Sequence, residues 1–198
     1  MKTVFSWALS LVLCICLLSV LPIEGEGAIY DEVIRLHVLA ASDSEKDQED
    51  KLAVRDAILE AYGEILAAAD LASAAETVEE HIPAIKALAE ETLTARGCDA
   101  SVSVSFGEER YPVRSYGELT FPAGTYRSLR VVIGEGEGEN WWCVLFPPMC
   151  VGAASGGVAI VNPNERPEAV GEGAWHIVSR SGEYELRFRF LELLSGNQ

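Results

Sequence analysis

Apolar and polar residues follow three different patterns along this chain of 198 residues. An uncharged apolar run covers Val4–Leu21, apolar residues recur at intervals of three and four between Ser42 and Gly97, and after Gly97 they alternate with polar residues. Intervals of three and four are typical of amphipathic helices, whereas alternation is typical of strands. The pattern therefore predicts an N-terminal apolar segment, a helical region and a region of strands.

The first element after the apolar segment is predicted to be a strand, Val33–Ala40 ("VIRLHVLA"), because it is rich in apolar and β-branched residues. Its period of two places Arg35 and His37 on the same side. A long amphipathic helix is predicted next, over 42–69, with Ser42 and Glu45 at the spacing of a capping box. Its stripe of regularly spaced residues is predicted to consist of Leu52, Arg55, Leu59, Tyr62 and Leu66.

A second helix is predicted from a second capping box, Ser73 with Glu76, and it is expected to end at Gly97. Proline lacks the amide hydrogen that an interior helical position donates, so Pro83 is expected to kink or split this helix near His81. The apolar stripe of the helix consists of Val78, Ile82, Ile85, Ala89 and Leu93.

The region after Gly97 predicts a run of strands separated by turns rich in Gly, Pro and Glu. We interpret "GEGEG", Gly134–Gly138, as a hairpin turn and the span Gly152–Gly173 as a surface loop. One strand, two helices and then several strands predict an α+β domain, in which the N-terminal strand and two helices pack on a largely antiparallel sheet. The strand-like segments are "VSVSF", "YPVRSYGELTF", "TYRSLRVVIG", "WWCVLF" and "YELRFRFLELL".

The apolar run at the N-terminus has the composition of an export segment, since Lys2 precedes it and no charge interrupts it. Its length lies between that of a signal-peptide core and that of a membrane span, so a cleaved signal and a retained membrane anchor are both consistent with it. Small residues at Gly25 and Gly27 would allow cleavage before Ala28. The sequence therefore predicts a signal peptide or membrane anchor, residues 1–27, and one extracytoplasmic domain, residues 28–198.

The chain is strongly acidic, with a net charge of −16 at pH 7. A negative field repels phosphate backbones and anionic lipid headgroups. Nucleic acid is therefore not an expected partner, and membrane contact is expected only through the N-terminal segment.

The segment "NWWCVLFPPMC" concentrates two tryptophans, two cysteines and a Pro-Pro pair in a short stretch that begins at Asn140. In an oxidising compartment a disulfide between Cys143 and Cys150 is expected, because the Pro-Pro corner between them can return the chain on itself. Two alternatives stay open from the sequence: that both are free core cysteines, or that Cys98 replaces one of them.

The sequence contains no motif of catalysis or metal binding. The three histidines, His37, His81 and His176, are far apart, and no HxxxH or CxxC pattern accompanies them. The "GAASGG" segment around Ser155 lacks the GxSxG spacing of a nucleophile elbow. These observations predict a protein that is not an enzyme and that uses no metal and no cofactor.

A polar cluster is predicted where the first strand meets the first helix, formed by Arg35, His37, Asp43 and Asp47. The two aspartates are placed to interact favourably with the positive end of the helix dipole. The cluster is either a partner-binding surface, with the tryptophan pair as a supporting element, or a structural hydrogen-bond network. The sequence allows both.

Two long blocks of this sequence resemble the stage II sporulation protein R family of endospore-forming bacteria. They are "IRLHVLAASDSEKDQEDKLAVRDAILEAY" and "FPAGTYRSLRVVIGEGEGENWWCVLFPPMC", in the family's order, and a charged aromatic strand near the C-terminus adds to the likeness. The resemblance covers nearly the whole predicted domain. One departure is Ala41 in "AASDS", where the family usually has asparagine in "ANSDS", so a capping or binding role of that amide does not carry over.

The resemblance implies an exported signalling protein rather than an enzyme. Members of the family are made in the forespore and exported into the space between the two membranes of the sporulation septum. They are needed to activate a membrane-embedded aspartic peptidase of the mother cell, which processes the precursor of sigma-E. The resemblance thus implies this peptidase as the partner, the intermembrane space as the location, and no catalytic residues.

Two other functions are compatible with the same sequence pattern. An exported carbohydrate-binding or cell-wall-binding module could use Trp141 and Trp142 as a stacking platform, and it predicts an exposed pair. Because the two tryptophans alternate on a predicted strand, at most one of them is expected to face solvent. A secreted hydrolase could use His37 with Asp43, and it predicts turnover that is lost in His37→Ala.

Overall fold

The computed structural model describes residues 2–20, 26–67, 70–149 and 165–180. Within these ranges the chain forms helices at both ends, two long central helices, and six strands. The helices are α1 (Lys2–Val20), α2 (Glu26–Glu32), α3 (Glu45–Ala67), α4 (Leu71–Ala95) and α5 (Glu172–Ser179). The strands are β1 (Ile34–Leu39), β2 (Val102–Tyr111), β3 (Arg114–Tyr116), β4 (Leu119–Phe121), β5 (Gly124–Ile133) and β6 (Asn140–Phe146).

Four strands form the main sheet in the order β2-β5-β1-β6. Strand β1 runs parallel to β5 and antiparallel to β6, while β2 runs antiparallel to β5. Strands β3 and β4 form a separate two-stranded antiparallel sheet. The predicted α+β fold with a largely antiparallel sheet is therefore confirmed.

Each face of the main sheet is covered by a hydrophobic core. The first core joins α3 and α4 to one face, to which β1 contributes Ile34, Leu36 and Val38. The second core joins α2, α5 and the β3–β4 sheet to the other face. Because both faces are covered, every residue of β1 is buried, including Arg35 and His37.

Helix α3 is capped two residues later than the sequence pattern predicts. The Ser44 side chain accepts a hydrogen bond from the Asp47 amide at 3.2 Å, which makes Ser44 the N-cap. Ser42 lies two residues before this N-cap, and its hydroxyl accepts a hydrogen bond from the Ser44 amide and donates one to the Asp47 carboxylate. The predicted capping box of Ser42 and Glu45 is therefore wrong, because Glu45 is already the first helical residue.

The buried face of α3 is also rotated from the predicted stripe. Leu52 is 36% exposed, whereas Lys51, Val54 and Ile58 are buried. Polar side chains occupy the second turn of this face, since Asp50 accepts hydrogen bonds from lysine and arginine side chains and is itself buried. Polar side chains that are hydrogen-bonded can be buried at low free-energy cost, so Asp50 and Lys51 occupy the buried face in place of Leu52, which the sequence pattern predicts there.

Helix α4 has a different N-cap from the predicted one, and it is not split at Pro83. The N-cap is Asp70, whose carboxylate accepts from the Ser73 amide at 2.8 Å, so the predicted box of Ser73 and Glu76 does not form. The helix is continuous through Pro83, and packing against α3 and β2 supports it on both sides of the proline. It ends as predicted at Gly97, which has a positive φ of 70° and bonds back to the last turn.

The "GEGEG" segment is not a hairpin turn, because β1 lies between β5 and β6 in the sheet. The connection instead crosses the end of β1, where the Gly138 amide donates to Ala40 O at 3.0 Å. A Cβ atom on Gly138 would lie 2.3 Å from Ser42 O. Only glycine therefore allows this connection to pack so closely on the strand-to-helix junction.

Two further parts of the described chain differ from the sequence prediction, and one predicted strand lies outside the described residues. The single strand predicted for "YPVRSYGELTF" contains the end of β2 and the hairpin of β3 and β4, which turns at Gly117 with a φ of 62°. Helices α2 and α5 were not predicted, although both contribute to the second core. The segment "YELRFRFLELL" lies outside the described residues.

Candidate functional site

Arg35 lies at the centre of the second core and is 0% exposed. Its Nε donates to Cys143 O at 3.0 Å, and its Nη2 donates to the Tyr116 hydroxyl at 2.7 Å. Its guanidinium therefore connects β1 to β6 and to the β3–β4 sheet. The guanidinium carbon lies 4.4–5.6 Å from the centroids of four aromatic rings, those of Tyr111, Tyr116, Phe121 and Tyr126.

The charge of Arg35 is stabilised by aromatic rings rather than by a carboxylate in the described part of the chain. Burial raises the pKa of Tyr116 above its ordinary value, and the nearby Arg35 guanidinium only partly offsets that effect. Burial also raises the pKa of Tyr111. Both phenols therefore stay neutral, and their ring faces provide the cation–π attraction.

His37 is part of a hydrogen-bonded network that joins three strands. Its Nδ1 donates to Glu109 Oε1 of β2 at 2.7 Å, and its Nε2 lies 2.7 Å from Asn140 Oδ1 of β6. The ring packs against Trp142 with centroids 5.2 Å apart. With both ring nitrogens engaged and only 6% of the residue exposed, His37 does not have the arrangement that the hydrolase alternative requires.

Glu109 is the network residue that the sequence did not reveal. Its Oε1 accepts from His37 and lies 3.4 Å from Arg130 Nε. Burial alone would raise the pKa of Glu109, but hydrogen bonds from His37 and Ser128 and the charge of Arg130 lower it on balance. Glu109 is 72 residues from His37 along the chain, so no local spacing signals the pair.

Asp43 belongs to a different feature, which we call the junction rim: the loop 40–45 and the connection 134–140. Asp47 lies beside it in the first turn of α3, where its carboxylate accepts a hydrogen bond from the Ser42 hydroxyl of the loop. Asp43 is exposed, and its Oδ1 accepts from the Glu139 amide at 2.7 Å. Lys51 of α3 also donates a hydrogen bond to Glu139 O of the connection 134–140, at 2.9 Å. The structure thus separates the four predicted residues: Arg35 and His37 are buried on the sheet, whereas the two aspartates fasten the rim.

Trp141 and Trp142 point to opposite faces of the sheet, and both are half-buried. Trp141 packs on the first core, with the Arg55 guanidinium carbon 4.8 Å from its ring centroid. Trp142 packs on the second core, with the Arg114 guanidinium carbon at 3.7 Å. The two indoles therefore do not form one exposed platform, and this geometry does not favour the carbohydrate-binding alternative.

The cysteines of the described residues are in two states. Cys143 is disulfide-bonded, whereas Cys98 and Cys14 carry free thiols. The chain turns after β6, where the Met149 amide donates to Val144 O at 3.3 Å. Cys150 lies outside the described residues, so its pairing with Cys143 stays a prediction.

The described residues contain neither a metal site nor a membrane-crossing helix. No group of three or more His, Cys, Asp or Glu side chains within them is placed to hold a metal ion. Over the same residues, the length and apolar character of each helix fall short of what crossing a membrane requires. Helix α1 nevertheless exposes large apolar side chains, with Phe5 at 73% and Trp7 at 78%.

Comparison with known proteins agrees with the resemblance noted in the sequence. The family model described as Stage II sporulation protein R (spore_II_R) matches residues 30–155. Stage II sporulation protein R of Bacillus subtilis (strain 168) is 38% identical over 139 residues, which are 70% of this chain and 62% of that protein. No solved structure matches. The family match includes β1 to β6, the buried Arg35 and the junction rim, and the chain therefore belongs to the stage II sporulation protein R family.

Proposed function

We propose that this chain is an exported sporulation signalling protein. In this proposal it activates the membrane-embedded aspartic peptidase that processes the sigma-E precursor, and it thereby links forespore to mother-cell gene expression. Membership of the family carries the proposal. The apolar side chains that α1 exposes support export, since an apolar segment of this kind is typical of a signal peptide or anchor.

A protein that signals without catalysis acts through contacts, and the junction rim is the contact surface that we propose. Its two loops are fastened to each other by Asp43 and supported by Lys51, so the surface is ordered before a partner binds. An ordered surface loses less conformational entropy on binding than a flexible one. The rim exposes the carboxylates of Asp43, Glu45, Glu135, Glu137 and Glu139.

A surface with this charge favours a partner that presents basic side chains or hydrogen-bond donors. Arg35 is not part of this surface, because its side chain is fully buried. His37 reaches the rim through Asn140, which is exposed and begins β6. A substitution of His37 would therefore change stability as well as signalling, whereas a substitution of Arg35 is expected to change stability.

The function is tested by co-expressing this chain with the peptidase and the sigma-E precursor in a host that does not form spores. We expect precursor processing only when all three proteins are present. Processing that is equally fast without this chain would contradict the proposal.

The surface is tested in the same assay with Glu135→Gln combined with Glu137→Gln. Both side chains are exposed, so their loss should leave stability unchanged, while the processing rate should fall roughly 2- to 10-fold. The matched control is Glu79→Gln with Glu80→Gln, which removes two exposed carboxylates from α4. Equal processing by both double variants would show that the rim is not the contact surface.

A further inference from the structure

Helix α2 spans the position at which the N-terminal segment is predicted to be removed. The helix runs over Glu26–Glu32, so the Gly27–Ala28 bond lies within it. Gly27 is exposed and Ala28 is half-buried, but Ile29 is only 1% exposed. Val33, which directly follows the helix, is 0% exposed. The residues immediately after the bond are thus part of the second core.

Two long-range hydrogen bonds hold α2 in place. The Tyr30 hydroxyl donates to Ala123 O at 3.1 Å, and the Gly171 amide donates to Glu32 Oε2 at 2.7 Å. The Tyr30 ring also packs edge-on against Tyr126, with centroids 5.0 Å apart. These contacts connect α2 to the start of β5 and to the N-terminus of α5, so the helix cannot unwind without losing tertiary contacts.

A peptidase that binds its substrate as an extended strand uses the main-chain groups on both sides of the bond that it cuts. In α2 those groups are helical, and the second residue after the bond, Ile29, is buried. Cleavage of the folded chain would therefore require α2 to leave the core first.

We propose that Gly27–Ala28 is a processing site that is accessible only before α2 folds onto the second core. Water adds across this peptide bond, which leaves a carboxylate on Gly27 and a free amine on Ala28. The order of the two events then decides the form of the product: cleavage first releases the domain, and folding first leaves it attached to the apolar segment. This inference rests on the proposed export of the chain.

The two products differ in where the junction rim can act. In the attached form, Val20 and Glu26 are six residue steps apart and therefore at most about 22 Å from each other, so the domain stays close to the apolar segment. In the released form, no such limit applies. The rate of folding relative to cleavage would thus decide whether the domain acts only close to the apolar segment or also at a distance from it.

The test measures cleavage by a purified bacterial signal peptidase in detergent. The substrates are the folded full-length chain and an unfolded peptide of residues 1–33, which has the same sequence on both sides of the bond. We expect cleavage of the peptide at Gly27–Ala28 and cleavage of the folded chain at least about 10- to 100-fold more slowly, because burial of Ile29 alone disfavours the open form to that extent.

A remote variant separates accessibility from sequence recognition. A Cβ atom at Gly124 would lie 2.2 Å from the Tyr30 ring, so Gly124→Ala should displace α2 without changing any residue near the bond. The matched control is Gly107→Ala on neighbouring β2, where a Cβ atom meets nothing within 4 Å. We expect faster cleavage in the Gly124 variant and the parent's rate in the Gly107 variant.

Either of two results would overturn the inference: equal cleavage rates for the folded chain and the peptide, or no cleavage of the peptide at this bond. If Gly124→Ala prevents folding, the comparison of the folded parent with the peptide still decides the question. The readout is cleavage and not peptidase activation, so its failure is distinguishable from failure of the proposed function.

Discussion

Replacing Arg35 by alanine removes the side chain around which the second core is organised. Arg35 donates to Cys143 O and to the Tyr116 hydroxyl, and it fills the space between four aromatic rings. In Arg35→Ala both acceptors lose a charged donor, and a cavity of nearly the whole side chain remains. The β3–β4 sheet also loses the contact that ties it to β1.

The expected cost follows from three opposing effects. Emptying a large buried site costs about 3–5 kcal/mol, and each hydrogen bond to a charged group contributes about 1.5–3 kcal/mol. Against this, removal of a buried charge recovers several kcal/mol of desolvation, since no carboxylate among the described residues pairs with Arg35. The lost hydrogen bonds and the recovered desolvation largely cancel, so the cavity decides the result. The free energy of unfolding should fall by about 3–5 kcal/mol, which corresponds to a melting-temperature decrease of roughly 6–20 °C.

Arg35→Met isolates the cavity from the charge. Methionine fills most of the volume, so this variant should lose only about 1–2 kcal/mol, for the two acceptors left without a donor. Urea unfolding of residues 28–198, followed by tryptophan fluorescence, measures both variants. If Arg35→Ala costs less than about 1 kcal/mol, or if Arg35→Met is the worse of the two, the view of Arg35 as the organiser of the second core is refuted.

Two further predictions concern the charge network and the cysteines. Asp50→Asn should cost about 1–2 kcal/mol at neutral pH. Burial raises the pKa of Asp50, but hydrogen bonds from a lysine and an arginine lower it on balance below 3.8. A lowered folded-state pKa gives stability above the unfolded-state pKa that is lost as the pH falls. The difference between parent and variant should therefore be constant above about pH 5 and shrink below it; a difference that grows in acid contradicts the assignment. Mass mapping of the non-reduced domain should show Cys143 linked to Cys150, and a cross-link that contains Cys98 would contradict that pairing.

The long elements of this fold follow from local pattern, but the short helices α2 and α5 and the pairing of the strands do not. The period of two in β1, β2, β5 and β6 and the helical spacing in α3 and α4 are each contained within one segment, so the sequence predicts them. The insertion of β1 between β5 and β6 joins segments about a hundred residues apart. Nothing in "GEGEG" distinguishes a hairpin turn from a connection that crosses a third strand. That choice is made by tertiary packing.

The candidate site shows the same division between local and distant information. Arg35 and His37 share one side of β1, and alternation correctly places them there. Alternation also suggests that a polar side faces solvent, but the aromatic rings of β2, β4 and β5 cover it. The only sequence signal for this cover is the density of aromatic residues between Tyr111 and Tyr126, which are close to one another and far from Arg35.

Several positive side chains of the described residues make contacts within the fold, and this affects the charge that a partner meets at the junction rim. Arg35 is enclosed by aromatic rings, Arg55 and Arg114 cover the two tryptophans, and Arg96 and Lys51 bond to groups of α3 and the rim. Arg35, Lys51 and Arg55 are buried, so these three neutralise little of the charge that an approaching protein meets. The acidic side chains of the junction rim, by contrast, are exposed. A partner with basic side chains would be attracted over about a Debye length, and its association rate would fall as salt is added.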